Sequence, residues 1–174
     1  YLKSYADAKK EYDAFILTYS DSPLKAQALY GMAFAALDNG EKPAARDIFL
    51  KIVTDIPDAE TAAKALSYVV MLDHELGLDE EGVAHAKNFL EQYGSREEAK
   101  PVLFLLGRSY TDLKRPADAI RTYEDYIARY PGDAKVPEAY FLIGRNYQAG
   151  GDTARSTEYF SKVAKDAPGT PAGV

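Results

Sequence analysis

The sequence predicts an all-α protein, a solenoid of about nine helices arranged as antiparallel pairs that stack on copies of themselves. Three observations carry that prediction. Between Leu103 and Pro131, apolar residues fall at Leu103, Leu106 and Tyr110, then at Ala119, Tyr123, Tyr126 and Ile127. This is the three-and-four spacing of helix stripes, with a break at Lys114 and Arg115. The same pattern returns along the chain at an offset of 37 residues. Residues suited to stopping a helix keep that register, at Ser20, Pro57, Gly94, Pro131 and Pro168. A single helical hairpin cannot bury both of its faces, so each unit must lean on its neighbours.

Taken in order, residues 1–20 read as the second helix of a unit whose first helix is missing. That half repeat should leave an apolar stripe of Tyr5, Ala8, Tyr12 and Phe15 exposed on at least one side, a surface for self-association. Ser22 and Pro23 form an N-cap followed by proline at the first helical position, opening a helix to about Asn39. Pro43 and Pro116 open second helices in the same way. Pro101 and Pro137 come after residues that could already be helical, and proline inside a helix loses a hydrogen bond and clashes with the preceding turn. Those helices should therefore start late. Gly40, Gly77 and Gly151 share a register just past a first helix, where positive φ is often needed; Lys114 occupies the fourth such position. Asp79, Glu80 and Glu81 belong in the first turn of a helix, where negative charge meets the positive end of the dipole. Full units run about 22–57, 59–94, 95–131 and 133–168, and the tail 169–174 matches the linker into a further unit. One solenoid domain thus fills residues 1–174, cut from a longer array without capping helices.

Inside each unit the register is finer. Small residues recur at Ala8, Ala45, Gly82, Ala119 and Ser156, with a bulky ring four positions on at Tyr12, Phe49, Tyr123 and Phe160; Ala86 is the exception. In the first helices Met32, Val69, Leu106 and Ile143 are followed by Ala33, Val70, Gly107 and Gly144. The segments LLGRSY (Leu105 to Tyr110) and LIGRNY (Leu142 to Tyr147) complete a pattern that resembles the tetratricopeptide repeat, whose usual unit is about 34 residues. The resemblance covers nearly the whole chain and implies a right-handed superhelix whose first helices line a concave side. The unit 59–94 departs most, with Val70 for Gly, Asp73 for Tyr, Ala86 for the aromatic and Gly94 for Pro, and should pack most loosely. The longer unit is similar to those of bacterial cell-envelope proteins, namely the outer-membrane assembly lipoprotein and the periplasmic partner of the Tol–Pal system. That likeness implies a periplasmic or envelope location; the absence of cysteine leaves a cytoplasmic one open.

Family resemblance places partner contacts at Tyr30 and Phe34, Ser67 and Met71, Phe104 and Arg108, and Phe141 and Arg145. Aromatic and arginine side chains there would supply anchoring area and charge-assisted bonds to carboxylates. Arg108 and Arg145 either form a basic rung or pair with acids such as Asp112 or Glu138. The family's chaperone-binding clamp carries Asn where Phe34, Met71, Arg108 and Arg145 fall, so that activity is not implied. The resemblance leaves two function classes. One is a non-enzymatic adaptor holding an extended peptide or helix of a protein partner. The other is a regulatory or substrate-holding arm of a larger enzyme, or a receptor for a signalling peptide or small molecule.

The remaining residues offer little chemistry. No cofactor motif or phosphate loop is present, and Gly150-Gly151 reads as a turn. His74 and His85, the only histidines, have no acid at metal-ligand spacing, so neither a metal site nor a catalytic one is expected. The net charge is −6, with residues 1–87 holding 9 basic against 15 acidic groups and residues 88–174 holding 12 against 12. Nucleic acid is excluded as a natural partner by that balance. No apolar run is long enough to span a membrane, and no initiator Met or leader precedes Tyr1, so a targeting segment was removed or never existed. Of the 14 tyrosines, Tyr12, Tyr93, Tyr123, Tyr126 and Tyr130 fall at repeat positions and belong to the core.

Overall fold

The structure, a computed structural model, describes residues 5–20, 22–57 and 60–166. Among them are nine α-helices and no strand: α1 Tyr5–Thr18, α2 Lys25–Asp38, α3 Lys42–Asp55, α4 Glu60–Glu75, α5 Asp79–Tyr93, α6 Ala99–Asp112, α7 Pro116–Arg129, α8 Val136–Ala149 and α9 Thr153–Asp166. None is long and apolar enough to cross a membrane. The chain divides into two compact units, Tyr1–Glu98 with α1 to α5 and Ala99–Val174 with α6 to α9. In the first, each helix packs on the next and α2 also packs on α4; in the second, α6, α7, α8 and α9 pack in sequence.

The four turns joining a first helix to its second are each three residues long and built alike. The middle residue takes positive φ in all four: Gly40 at 82°, Gly77 at 70°, Lys114 at 56° and Gly151 at 81°. The N–H of the next residue then reaches back to the last turn of the first helix, Glu41 to Ala36, Leu78 to Asp73, Arg115 to Tyr110 and Asp152 to Tyr147. That closure satisfies carbonyls the helix end would otherwise leave bare. Second helices begin 37 residues apart, at 42, 79, 116 and 153, because the turn fixes where they can start.

First helices start less regularly. Helix α2 begins at Lys25, two residues after Pro23, because Ser22 through Leu24 form a tight turn in which the Ser22 hydroxyl accepts the Leu24 N–H at 3.2 Å and its carbonyl accepts the Lys25 N–H. Helix α6 starts at Ala99 and α8 at Val136, so Pro101 and Pro137 sit in first turns, where a missing N–H costs nothing. Asp133 fixes the entry to α8. It accepts the Lys135 N–H at 2.9 Å and the Tyr126 hydroxyl at 2.6 Å, and pairs with Lys100 at 2.7 Å. Lys100 first, then Tyr126 and the Lys135 N–H, hold its carboxyl well below the usual carboxylate range.

Core formation turns on how closely a second helix crosses its first. A Cβ placed on Gly107 would fall 2.6 Å from the Tyr123 ring, and one on Gly144 2.6 Å from the Phe160 ring, so each ring lies directly on backbone. In α2 and α3 the corresponding pair is Ala33 and Phe49, both buried. In α4 and α5 it is Val70 and Ala86, also buried. The larger group has moved to the first helix, and this pair carries no ring, so it is the least bulky of the four. Among the core tyrosines, Tyr123 and Tyr126 are buried while Tyr12, Tyr93 and Tyr130 are half-buried. Pro168, the tail 169–174 and the Tyr5 side chain lie outside the described residues.

The turns and the ring contacts can both be tested by stability. Lys114→Gly should raise stability by up to about 1 kcal/mol, since a lysine in the left-handed region is strained where glycine is not, and Gly77→Ala should lower it by about as much; urea titrations check both. Tyr123→Ala should cost about 3–5 kcal/mol and Gly107→Val about 1–3 kcal/mol. In a double-mutant cycle the pair should lose less than the sum by at least about 1 kcal/mol, because valine fills the space the ring leaves.

Candidate functional site

The residues expected to meet a partner do not share one environment. In the unit 5–98, Tyr30 and Phe34 on α2 join Tyr68 on α4 and the buried Phe49 on α3 in one aromatic cluster. Tyr30 and Phe34 lie 5.0 Å apart between centroids, Phe34 and Tyr68 5.1 Å, and Phe49 stacks on Tyr68 at 5.0 Å. Tyr30, Phe34 and Tyr68 are each half-buried, as are Ser67 and Met71 beside them on α4. The α2 to α4 packing brings these side chains together. Burial, then the neighbouring Tyr68 hydroxyl, pushes the Tyr30 pKa up to about 12. Tyr68 was missed in the sequence because its register is held by Gly31, Leu105 and Leu142, which are not contact positions.

In the unit 99–166 the aligned residues diverge. Phe104 is 1% exposed, wedged between Tyr123 at 5.5 Å and Tyr126 at 5.1 Å with the Lys135 ammonium 4.6 Å from its centroid. Its ring is core and cannot be offered to a partner. The expectation erred because it assigned a surface by register, whereas the ring's cover comes from the start of α8. Arg108 pairs with Glu138 at 2.5 Å, the ion-pair alternative rather than a free rung. Phe141 and Arg145, one repeat on, are exposed, and Arg145 makes no ion pair among the described residues.

The strongest polar arrangement is one that periodicity does not reveal. Asp73, fully buried on α4, accepts from Arg46 Nε on α3 at 2.5 Å and lies 2.7 Å from His85 Nδ1 on α5. The signal was its register: Asp73 stands where Tyr110 and Tyr147 stand, and a carboxylate at a core position must have partners. The acid that meets His85 stands 12 residues away on another helix, outside the ligand spacing searched for in the sequence. Arg46 and His85 meet one buried acid from either side, a tie between three helices.

At the N-terminal end Ala8 is buried and Tyr12 and Phe15 are half-buried against α2, so the exposed stripe expected there is narrower. The apolar exposure shifts to Leu17, Tyr19 and Leu24, which with Phe141 are the exposed large hydrophobics among the described residues. Open grooves of about 510 Å³, lined by Tyr12, Phe15, Leu24 and Ala28 among others, and of about 420 Å³, over Ile16, Leu17, Met32 and Ile48, flank α1.

Sequence profiles described as tetratricopeptide repeat match residues 1–66 with one profile and residues 102–133 and 138–170 with another. No curated protein matches the chain. Among solved structures, a MamA crystal structure superposes with a TM-score of 0.71 at 19% identity, over 92% of this chain and 88% of that one. MamA from Desulfovibrio magneticus RS-1 gives 0.69 at 14%, over 91% and 85%. The TPR-like repeats of a putative kinesin light chain from Podosopora anserina give 0.72 at 14%, over 95% and 88%. At such identities the likeness is one of fold, and these relatives lend no support to the narrower likeness to cell-envelope proteins.

Breaking the Asp73 tie should be costly. Asp73→Ala leaves Arg46 without its buried acid and should destabilise the protein by about 3–5 kcal/mol. Asp47→Ala, removing a largely exposed carboxylate 3.8 Å from Arg46, should change it by less than about 0.5 kcal/mol. Thermal or urea unfolding distinguishes the two.

Proposed function

Because the chain belongs to the tetratricopeptide repeat family, we propose that it works as a non-enzymatic interaction scaffold, holding an extended peptide or a helix of a protein partner against its first helices. The observation that supports this best is the half-buried aromatic face of α2 and α4. Tyr30, Phe34 and Tyr68 hold one another in place while keeping part of each ring in solvent, so they offer contact area with little ordering left to lose on binding. Met71 adds an adaptable apolar group, and Ser67 a hydroxyl. The Tyr30 hydroxyl, a phenol protonated at neutral pH, can donate as well as accept.

A segment with apolar or aromatic anchors suits this face. In the unit 99–166, taken by itself, a carboxylate of a partner would suit Arg145, and would reach Arg108 only by displacing Glu138. A bacterial envelope address, implied by the length of the repeat alone, belongs to this reading as an expectation.

Peptides selected from a random display library on the folded chain provide the test. A Ser67→Arg, Met71→Lys double variant, whose melting should match the parent because both positions are half-buried, should bind the selected peptides at least about tenfold more weakly. Equal binding to parent and variant sinks the assignment of this face.

A further inference from the structure

Three rings of the unit 99–166 take no part in the contacts over Gly107 and Gly144 and gather beside α9 instead. Tyr159 lies 5.6 Å from Tyr147 and 6.1 Å from Tyr140, both on α8, and its hydroxyl donates to Glu124 on α7 at 2.7 Å. The Lys162 ammonium stands 4.0 Å from the Tyr159 centroid and pairs with Glu158 at 2.9 Å. Phenol rings thus bridge α7, α8 and α9, with an acid for the hydroxyl and a cation over the ring face.

Three repeats earlier, the register keeps the charges and drops the rings. Asp13, Asp47 and Lys51 stand where Glu124, Glu158 and Lys162 do, whereas Leu29, Ala36 and Ile48 replace Tyr140, Tyr147 and Tyr159. What lies between α1, α2 and α3 is the open groove of about 420 Å³, lined by Leu29, Met32 and Ile48 together with those three charged residues. All three of its walls are present. The partners of Tyr159 come from α7, α8 and α9, and α6, the helix ahead of α7, adds none. A helix ahead of α1 would in the same way leave this groove open.

We propose that the groove between α1 and α3 is a docking site for a tyrosine side chain of a protein partner. The ring settles on Leu29, Met32 and Ile48 beneath the Lys51 ammonium, and the hydroxyl donates to Asp13. Lys51 makes no ion pair among the described residues, unlike Lys162, so its charge is open to a ring face. Asp13 holds Lys9 through one carboxylate oxygen, which leaves the second for a hydroxyl. With two acids on its rim, the groove disfavours a phosphate or carboxylate and selects a neutral phenol. Leu17, 83% exposed on the groove's edge, favours a chain segment over an isolated phenol, because a residue beside the tyrosine can cover it. The site shares no residue with the aromatic face of α2 and α4, and neither depends on the other.

The probe is N-acetyl-L-tyrosine amide, titrated into the isotope-labelled full chain and followed by NMR. Saturable shifts are expected at the amides of Leu29, Met32 and Ile48, at the roughly millimolar affinity that one side chain supplies. N-acetyl-L-phenylalanine amide should bind at least about fivefold more weakly for want of the hydroxyl, and the phosphotyrosine analogue should not bind; both comparisons use only the parent protein. Asp13→Ala should weaken the tyrosine probe at least about fivefold, and Lys51→Ala about twofold to fivefold. Ile48→Tyr, which gives α3 the residue that α9 carries, should fill the groove and abolish binding. The absence of saturable shifts overturns the proposal, as do shifts confined to the α2–α4 face or equal affinity for the phenylalanine probe. Free tyrosine binding as tightly as the capped probe also overturns it, since the site then serves an amino acid and not a chain. So does self-association that Tyr19→Ala abolishes, because the occupant is then the exposed Tyr19 of a second copy.

Discussion

The distance at which a second helix crosses its first is the constraint on which the rest depends. Two helices can approach only as far as the bulkier side chain between them allows, and a ring on one demands near-absence of a side chain on the other. Gly107 under Tyr123 and Gly144 under Phe160 meet that demand outright; Ala33 opposite Phe49 meets it with one methyl to spare. Val70 opposite Ala86 meets it in reverse. A glycine within a helix carries a propensity cost of about 1 kcal/mol relative to alanine, which is tolerable here because it admits a fully buried tyrosine. In every pair at most one member is bulky, and which helix carries it is free to change.

That distinction explains what could be read from the sequence. The positive-φ turns were legible, Lys114 included, because one residue's dihedral and one backward hydrogen bond decide them locally. The same holds for Pro43 and Pro116 near the start of their helices and for the acidic first turn of α5. By contrast the α2 start moved by two residues, since the Ser22 turn competes with helix for the same N–H groups. The candidate site was less legible still. Whether Phe104 faces a groove or the core depends on Lys135, whether Arg108 is free depends on Glu138, and whether Asp73 is an outlier or an anchor depends on Arg46 and His85. Those partners lie 31, 30, 27 and 12 residues away in positions that no local periodicity ties together.

Charge is used in two ways in this fold. On the surface, pairs within one helix such as Lys9 with Asp13, Arg129 with Asp125 and Lys162 with Glu158 are partly exposed and contribute tenths of a kcal/mol each. The acids Asp73 and Asp133 act differently, since each is met from several elements at once. Asp133 gathers Lys100 of α6, Tyr126 of α7 and the first N–H groups ahead of α8. Its lowered pKa means the charged form is the one the fold prefers, so this contribution is fully present above about pH 4 and is lost as the pH falls through the lower folded-state value. Asp73 is likewise met from two helices, and it lies fully buried, where an unpaired polar group is costly.

A repeat protein reuses its residues, and the same residue does different work depending on the helix that covers it. Phe104 and Arg108 hold one helix pair to the next, while Phe141 and Arg145 at the same register are exposed. What distinguishes one helix pair from another is then the few charged positions that differ from repeat to repeat, because the rings and small residues beneath them largely recur.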